Sequence, residues 1–353
     1  MSGPGVRPGA AVPELPEVEV VRRGLERHLT GGVVTAVELL HPRAVRGQEG
    51  GGAALVDALE GARIASVSRR GKFLWLTLAD GSRPVTAPVT GDDAALAPAV
   101  DAAPGPSDAT RHLVVHLGMS GQMLVGPPGR VRSPHARIRT RLVVPAPAPA
   151  PGPDAAPGLN APVVPAPGPA APVVPGPGPD ATAGHETELT FVDQRTFGRW
   201  EVVTGDPVPH IARDPLDPEL DVAALARRIR TRRSEIKRVL LDQTVVSGIG
   251  NIYADEALWA ARVMPFRRAS SMRQRDVVTL LGEAKAVMER ALAAGGTSFD
   301  ALYVDVEGAS GYFARSLAVY GREGLPCPRC GTPVTRIPWA GRSTHLCRTC
   351  QVL

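Results

Sequence analysis

All four cysteines of this 353-residue chain fall in its last 27 residues, as two C-x-x-C pairs. Cys327 and Cys330 form the first pair, Cys347 and Cys350 form the second, and 16 residues separate the pairs. Two such pairs at this spacing can surround one Zn²⁺ with four thiolates. A single pair would suit a redox site, but the second pair favours zinc. Because four thiolates leave no position for water, we expect one structural Zn²⁺ beside a β-hairpin formed between the pairs.

Glycine and proline are concentrated in three stretches of the chain. There are 38 Gly and 36 Pro, and many of them lie in residues 1–12, about 81–110 and about 145–184. Tracts rich in Pro, Ala and Gly cannot bury enough apolar surface to offset chain entropy. We therefore expect all three stretches to be disordered, the last two as surface insertions between strands. The remaining residues must build the fold.

Hydrophobic patterning indicates a mostly β half followed by a helical half. Pro16 begins a predicted helix over 16–29, in which Val18, Val21 and Leu25 share one face. Short apolar runs predict strands at 73–78, 113–117, 137–144 and 188–193. Helical spacing predicts helices near 221–230, 234–242, 253–262 and 273–294.

The charge balance suits a polyanionic partner. The net charge is +5 and the pI is about 9.3, although basicity alone is weak evidence. Only three of the 40 basic residues are lysines, which singles out Lys72 as a candidate functional amine. No window offers the roughly 18 apolar residues of a membrane span, and residues 1–12 lack the apolar core of a signal peptide.

Residues 226–238 carry seven basic side chains and one acidic one. A charge run of this kind is often only the solvated face of a helix. Here it leads to Gly248-Ile249-Gly250-Asn251, which begins a predicted helix. Backbone N–H groups at a helix start can bind phosphate, and the Asn251 side chain can donate a further hydrogen bond. We therefore expect a phosphate contact at this helix start.

Several motifs resemble, in order, those of the formamidopyrimidine-DNA glycosylases. The first is Pro13-Glu14-Leu15-Pro16-Glu17-Val18-Glu19, which is similar to the opening of that family. The others are RRGKFL (69–74), HLGMSG (116–121), DQRTFG (193–198) and the LLDQ, GIGN and IYADE elements of a helix-two-turn-helix (240–256). The resemblance covers about 13–80, 111–144 and 185–351, which is nearly all of the chain expected to be ordered.

The resemblance implies an α+β fold with two domains and DNA in the cleft between them. Residues 13–218 would form an antiparallel β-sandwich with flanking helices. Residues 219–317 would form the helix-two-turn-helix bundle, and 318–353 the zinc-finger hairpin. Residues 1–12 would be an extension outside the fold.

The resemblance also implies an activity. It would be base-excision repair: flipping 8-oxoguanine and formamidopyrimidines out of double-stranded DNA, excising them, and cleaving the strand by β,δ-elimination. An N-terminal proline is a secondary amine, which can attack C1′ of the sugar and form an iminium. By resemblance Pro13 is this nucleophile and Glu14 an acid or base at the sugar. Lys72 would contact phosphate and assist elimination, and Arg342 would act in the second elimination.

The family further implies how DNA is held. Met119, Arg195 and Phe197 would fill the space left by the flipped nucleotide, because Phe can wedge between base steps and Arg can hydrogen-bond the orphaned base. We expect a monomer that acts on the bacterial nucleoid in the cytoplasm, with no membrane partner and no organic cofactor or catalytic metal. The remaining implied DNA contacts are His135, Arg232, Arg233, Lys237 and Asn251.

The chain departs from the family at Pro13, which is internal as written, so its nitrogen is an unreactive amide. We expect translation to begin at Val12, because GTG encodes valine and also serves as a bacterial start codon. Removal of the initiating methionine would then free Pro13. If Met1 is the true start, the alternative is a non-catalytic damaged-DNA-binding protein. An endonuclease VIII-like glycosylase for oxidised pyrimidines and a bare zinc-dependent transcription factor are further alternatives, which HLGMSG and Pro13-Glu14 disfavour.

Overall fold

The structure is a computed structural model that describes residues 13–81, 110–146, 184–297, 304–309, 311 and 313–352. The stretch 1–12 and nearly all of the stretches 81–110 and 145–184 lie outside these ranges, so the expectation of disorder there stays a prediction. Among the described residues, no helix combines the length and the apolar character that crossing a membrane requires.

Helix α1 (Leu15–Leu29) begins the sheet domain. Glu14 and Glu17 form a capping box at its start, and Pro16 lies in its first turn, where a missing N–H costs nothing. Helix α2 spans Gly51–Leu59, and a short 3₁₀ turn, Pro42–Val45, precedes it. The strands are β1 (Val33–Leu39), β2 (Ala62–Arg70), β3 (Phe73–Asp80), β4 (Arg111–His116), β5 (Gly121–Gly126), β6 (Ala136–Val144), β7 (His185–Asp193) and β8 (Arg199–Thr204).

These strands pair antiparallel in the order β5-β7-β6-β1-β2-β3-β4-β8. Only one register pair, Val33 with Arg63, joins β1 to β2, so the sheet divides into two four-stranded halves. Apolar side chains from both halves share one core, in which the rings of Phe191 and Trp200 lie 5.8 Å apart. The predicted antiparallel β architecture with flanking helices is therefore confirmed.

The helical domain contains α3 (Val222–Arg230), α4 (Ile236–Leu241), α5 (Asn251–Ala260) and α6 (Gln274–Ala293), with a 3₁₀ turn at Ala269–Ser271. Its core is built mainly by α5 and α6, where Tyr253, Leu258 and Leu280 are fully buried. Leu15 belongs to this core, although the rest of α1 packs on the sheet. The first residue of α1 is thus anchored in the helical domain.

The C-terminal module contains a 3₁₀ turn at Phe313–Ser316 and the strands β9 (Thr335–Trp339) and β10 (Arg342–Leu346). Ala340 and Gly341 join the two strands, with φ angles of 46° and 74°. Two positive φ angles are characteristic of a type I′ turn, which matches the twist of a hairpin. This turn places Arg342 directly opposite Trp339, at the hairpin tip.

Candidate functional site

The Glu14 side chain lies at the amino end of helix α5. Its Oε2 accepts hydrogen bonds from the backbone N–H groups of Gly250 (2.9 Å) and Tyr253 (3.2 Å), and its Oε1 accepts one from Ile252 (2.9 Å). A Cβ at Gly250 would overlap this carboxyl group, so only glycine permits the approach. These three N–H groups already have a partner, so they do not bind a DNA phosphate in this arrangement, and a phosphate contact by Asn251 stays a prediction. The positive end of the helix dipole is occupied by the chain's own carboxylate.

The pKa of the Glu14 carboxyl group lies near neutral pH. Burial is the largest influence and raises the pKa of Glu14 to about 7, against the opposing effects of Lys72 and the backbone donors of Ile252 and Tyr253. A carboxyl group with such a pKa exists in both forms at neutral pH. It can therefore donate a proton and also accept one.

Glu17 holds the start of α1 in place, and the sequence analysis missed this role. Its Oε2 accepts the backbone N–H of Glu14 at 3.0 Å. Its Oε1 accepts the Tyr253 hydroxyl and the Thr297 backbone N–H, both at 2.8 Å. All four residues are buried. The three-residue spacing of Glu14 and Glu17 is a capping-box signal that could have indicated part of this network.

Pro13 is buried and lines a narrow cleft together with Glu17, Gly121 and Thr297. The cleft therefore lies between α1, the start of β5 and the segment after α6. Pro13 and Glu14 are thus presented together where the two domains meet.

Lys72 follows Gly71 in the tight turn between β2 and β3 and is half-buried. Burial lowers the pKa of Lys72, and the neighbouring Glu14 acts in the opposite direction. Gly71 has a φ of 59°, and a Cβ there would lie 2.6 Å from the Ser247 side chain. The turn is therefore pressed against the loop that precedes α5, which brings Lys72 towards Glu14.

Two loops of the sheet domain bring the three predicted gap-filling residues together. Arg195 Nη1 lies 4.0 Å from Met119 Sδ, and a Cβ at Gly118 would lie 3.0 Å from the Phe197 Cβ. Phe197 is 46% exposed and Arg195 is also exposed. An exposed phenyl ring can insert between base steps, and an exposed guanidinium beside it can hydrogen-bond a base.

Asp193 connects these loops, and the sequence analysis did not identify it as a functional residue. Its fully buried carboxylate accepts the Ser120 hydroxyl and the backbone N–H groups of Arg195 (3.1 Å) and Gly198 (2.7 Å). The His135 carbonyl accepts the Asp193 N–H at 2.9 Å. The structure therefore places His135 beside the same loops.

The four cysteines converge on one point. Their Sγ atoms all lie within 4.8 Å of one another, with 3.4 Å between Cys330 and Cys347 and 3.9 Å between Cys327 and Cys350. Ligands about 2.3 Å from a tetrahedral zinc lie about 3.8 Å apart, so these thiolates fit one structural Zn²⁺. The Trp259 indole N–H donates to Cys327 Sγ at 3.3 Å and joins the zinc module to helix α5.

Exposed arginines surround a groove between helix α4 and the hairpin tip. The groove has a volume of about 420 Å³, and its lining includes Arg232, Arg238 and Arg342. Arg233 is exposed beside Arg232. Several exposed guanidinium groups around one groove suit the binding of a phosphate backbone.

Lys237 and Asn251 do not lie at the surface of this groove. Lys237 is fully buried, and its Nζ lies 2.7 Å from Asp255 Oδ1 and donates to the Thr344 hydroxyl at 2.8 Å. The Asn251 side-chain N–H donates to the Ser343 carbonyl at 2.9 Å. The predicted phosphate contact of Lys237 conflicts with this burial, because its ammonium group already has protein partners. Both side chains instead hold strand β10.

Comparison with known families and relatives gives a consistent result. The formamidopyrimidine-DNA glycosylase N-terminal domain matches residues 12–146, its H2TH domain matches 211–302, and the zinc finger found in FPG and IleRS matches 324–352. The formamidopyrimidine-DNA glycosylase of Corynebacterium urealyticum is 48% identical and covers 96% of this chain and 99% of its own length. That of Nocardia farcinica is 47% identical, with coverage of 96% and 98%.

Solved structures of DNA complexes share the fold. Lactococcus lactis Fpg with abasic-site DNA has a TM-score of 0.68 and 27% identity, and covers 97% of this chain and 100% of its own. MutM with DNA containing carbocyclic 8-oxo-G has a TM-score of 0.68 and 28% identity, with coverage of 96% and 99%.

Proposed function

The chain belongs to the formamidopyrimidine-DNA glycosylase family, and from that premise we propose how it acts on damaged double-stranded DNA. It is a DNA glycosylase for oxidised purines. We propose that the same chain then cleaves the strand by β,δ-elimination. The observation that carries this proposal is the placement of Glu14, buried beside Pro13 and Lys72 with a pKa of about 7.

Base release requires a proton donor and a nucleophile near C1′ of the sugar. In this proposal the Pro13 nitrogen attacks C1′, the glycosidic bond breaks, and Glu14 exchanges a proton at the sugar or the departing base. The C1′–O4′ bond then breaks as O4′ takes up a proton from Glu14, which opens the sugar ring and leaves an iminium between C1′ and the Pro13 nitrogen. This iminium acidifies the C2′ proton. Loss of that proton breaks the C3′–O bond, and a second proton loss releases the 5′ phosphate.

The Pro13 nitrogen must be a free amine for this chemistry. An α-amino group has a pKa near 8, so a useful fraction is neutral at pH 7. We propose that initiation at Val12 and methionine removal expose Pro13. The match of the N-terminal family model from residue 12 supports this start.

We assign the side chains of Lys72 and Arg342 to the elimination steps that cleave the strand. The half-buried Lys72 lies near Glu14, and Arg342 lies at the hairpin tip beside the basic groove. A cation in either place can hold the phosphate that leaves as the C–O bond breaks. The shared neighbourhood of Lys72, Glu14 and Arg342 supports their joint assignment, since both Glu14 and Arg342 influence the pKa of Lys72.

DNA is proposed to lie across the junction of the two domains. Met119, Arg195 and Phe197 would fill the space left by the extruded nucleotide, with His135 beside them. Arg232 and Arg233 would hold phosphates. We further propose that the protein acts as a monomer on the bacterial nucleoid.

Borohydride trapping tests the nucleophile directly, because it reduces an iminium to a stable protein–DNA adduct. The substrate is a duplex with 8-oxoguanine opposite cytosine, and an undamaged duplex is the control. Two forms of the protein are compared, one beginning at Met1 and the other at Pro13. Trapping only by the form that begins at Pro13 is the expected result.

The other outcomes have distinct meanings. Trapping by neither form would favour the alternative of a non-catalytic damaged-DNA-binding protein. Equal trapping by both forms, with the longer one shown by mass spectrometry to be unprocessed, would assign the chemistry to another amine such as Lys72.

A further inference from the structure

We infer that Asp214, in the segment that connects β8 to α3, is a positioning residue that fixes the turn carrying Lys72. The inference rests on the proposed role of Lys72 in strand cleavage. Asp214 is only 3% exposed, and neither the motifs nor the family resemblance singled it out. It acts through the turn and does not touch DNA.

One carboxylate oxygen of Asp214 holds the turn at two points. Oδ2 accepts the backbone N–H of Gly71 at 3.0 Å and pairs with Arg69 Nη1 at 2.7 Å. The other oxygen, Oδ1, accepts the backbone N–H of Leu216 at 3.1 Å, which fixes the carboxylate within its own segment. The turn is therefore bound from outside the sheet by a rigidly held anion.

Arg69 also connects Asp214 to helix α1. Its Nε pairs with Glu19 Oε2 at 2.7 Å, and the Arg69, Glu19 and Asp214 side chains are all at most 10% exposed. Glu19 lies in α1, which begins directly after Glu14. One buried guanidinium thus joins the helix that presents Glu14 to the segment that holds the Lys72 turn.

The same segment also holds the loop before α5. The Arg213 carbonyl accepts the Ser247 N–H at 3.2 Å, and the Ala212 N–H donates to the Gln243 carbonyl at 3.0 Å. That loop receives the Lys72 turn and leads to the N–H groups that bind Glu14. Residues 212–214 therefore set the Lys72 turn and the Glu14 site relative to each other.

The test measures single-turnover cleavage of a duplex with a preformed abasic site, by protein that begins at Pro13. Asp214→Asn keeps the shape of the side chain and removes its charge, and we expect cleavage to slow 10- to 100-fold. Asp206→Asn is the matched control, because Asp206 pairs with the neighbouring Arg70 in an exposed position. We expect it to change the rate less than twofold.

If Asp214 positions the turn that carries Lys72, the effects of substituting Asp214 and Lys72 on cleavage should not be additive. In a Lys72→Ala background, Asp214→Asn should slow cleavage less than twofold further, because the group that it positions is already gone. An equal loss in both backgrounds, or equal rates for Asp214→Asn and Asp206→Asn, would overturn the inference. Wild-type cleavage by Lys72→Ala would instead overturn the proposed role of Lys72.

A second variant covers the possibility that Asp214→Asn does not fold, which zinc content and thermal unfolding would reveal. Asp214→Glu keeps the ion pair with Arg69 but moves the carboxylate by one methylene relative to Gly71. We expect it to slow cleavage three- to tenfold, again only when Lys72 is present. A wild-type rate for Asp214→Glu would contradict the positioning role.

Discussion

Helix α5 binds both of its neighbours, but by different chemistry. At its amino end three backbone N–H groups bind the Glu14 carboxyl group of the sheet domain. Along its side, Asp255 pairs with the buried Lys237 at 2.7 Å and accepts the backbone N–H of His345 from the hairpin at 2.8 Å. We call these two contacts the catalytic junction and the hairpin junction.

The two junctions differ in the partners of their buried carboxyl groups. In the catalytic junction, the described hydrogen-bond partners of the Glu14 carboxyl group between the domains are backbone N–H groups, and its pKa of about 7 permits both protonation states. Asp255 in the hairpin junction is bonded directly to an ammonium group, beside a zinc site that also fixes the hairpin. The protein thus places a carboxyl group with a pKa of about 7 where the reaction is proposed, and a directly bonded ion pair where the hairpin is held.

Removal of zinc should have the largest effect on folding and on DNA binding, because it should disrupt the hairpin junction. Cys330→Ser removes one thiolate, and structural zinc contributes roughly 10 kcal/mol or more of apparent folding free energy. We expect loss of zinc by atomic absorption and at least a 100-fold loss of affinity for lesion DNA, because Arg342 is no longer held. Thr349→Ser, an exposed neighbour of Cys350, is the control. Wild-type affinity in a zinc-free variant would contradict this.

Disruption of the buried ion pair between Lys237 and Asp255 should have the next largest effect. Lys237→Met leaves the Asp255 carboxylate buried without its cation, which typically costs about 3–5 kcal/mol. Denaturant unfolding measures this change in the free energy of unfolding. Lys237→Met combined with Asp255→Asn should recover most of the loss, since neither partner is then charged and the His345 N–H keeps an acceptor. Failure of the double variant to recover would mean that the pair is not what holds the hairpin.

The catalytic junction should respond to pH in a definite direction. The pKa of Glu14 is about 7 in the folded protein against an ordinary value of 4.5. Between these values the folded state retains a proton that the unfolded state has released, so raising the pH destabilises the fold. We expect a loss of about 3 kcal/mol across this window, at 1.36 kcal/mol per pH unit. Glu14→Gln should remove this slope, and an unchanged slope would assign it to another group.

Glu14→Gln also separates the chemistry from the binding. Loss of a general acid or base typically slows a reaction 10²- to 10⁴-fold. We expect this loss in single-turnover base release, with lesion-DNA affinity within threefold of wild type. Lys237→Met should show no comparable selective loss of base release, because its effect is on folding.

Phe197→Ala should have the smallest effect on stability. An exposed side chain of this kind contributes at most about 0.5 kcal/mol to folding, and Phe197 is 46% exposed. We nevertheless expect base release from a fully paired duplex to slow roughly tenfold, because the wedge is lost. Equal rates for Phe197→Ala and wild type would remove Phe197 from the DNA contacts.

Three of the elements missed by the sequence analysis have a visible local cause. Strands β1, β2, β5 and β8 and helix α2 were not predicted, whereas the four predicted strands and the five predicted helices are all present. In β1 and β2 the register shifts within the strand, between Val34 and Ala36 and between Ile64 and Ser66. Such a bulge breaks the alternation of apolar and polar residues by which a strand is recognised. Helix α2 begins with two glycines, which disfavour a helix.

The sequence by itself determined what depends on spacing along the chain. The four zinc ligands, the capped start of α1 and the order of the motifs can all be read locally, because each feature spans a few residues with its own geometric requirement. Only the tertiary structure decided which partner each charge meets. Glu14 takes the helix start predicted for phosphate, Lys237 is buried against Asp255, and Asp214 reaches Gly71 from 143 residues away. A charge acquires its pKa and its role from the burial and the partners around it, and these exist only once distant segments have packed together.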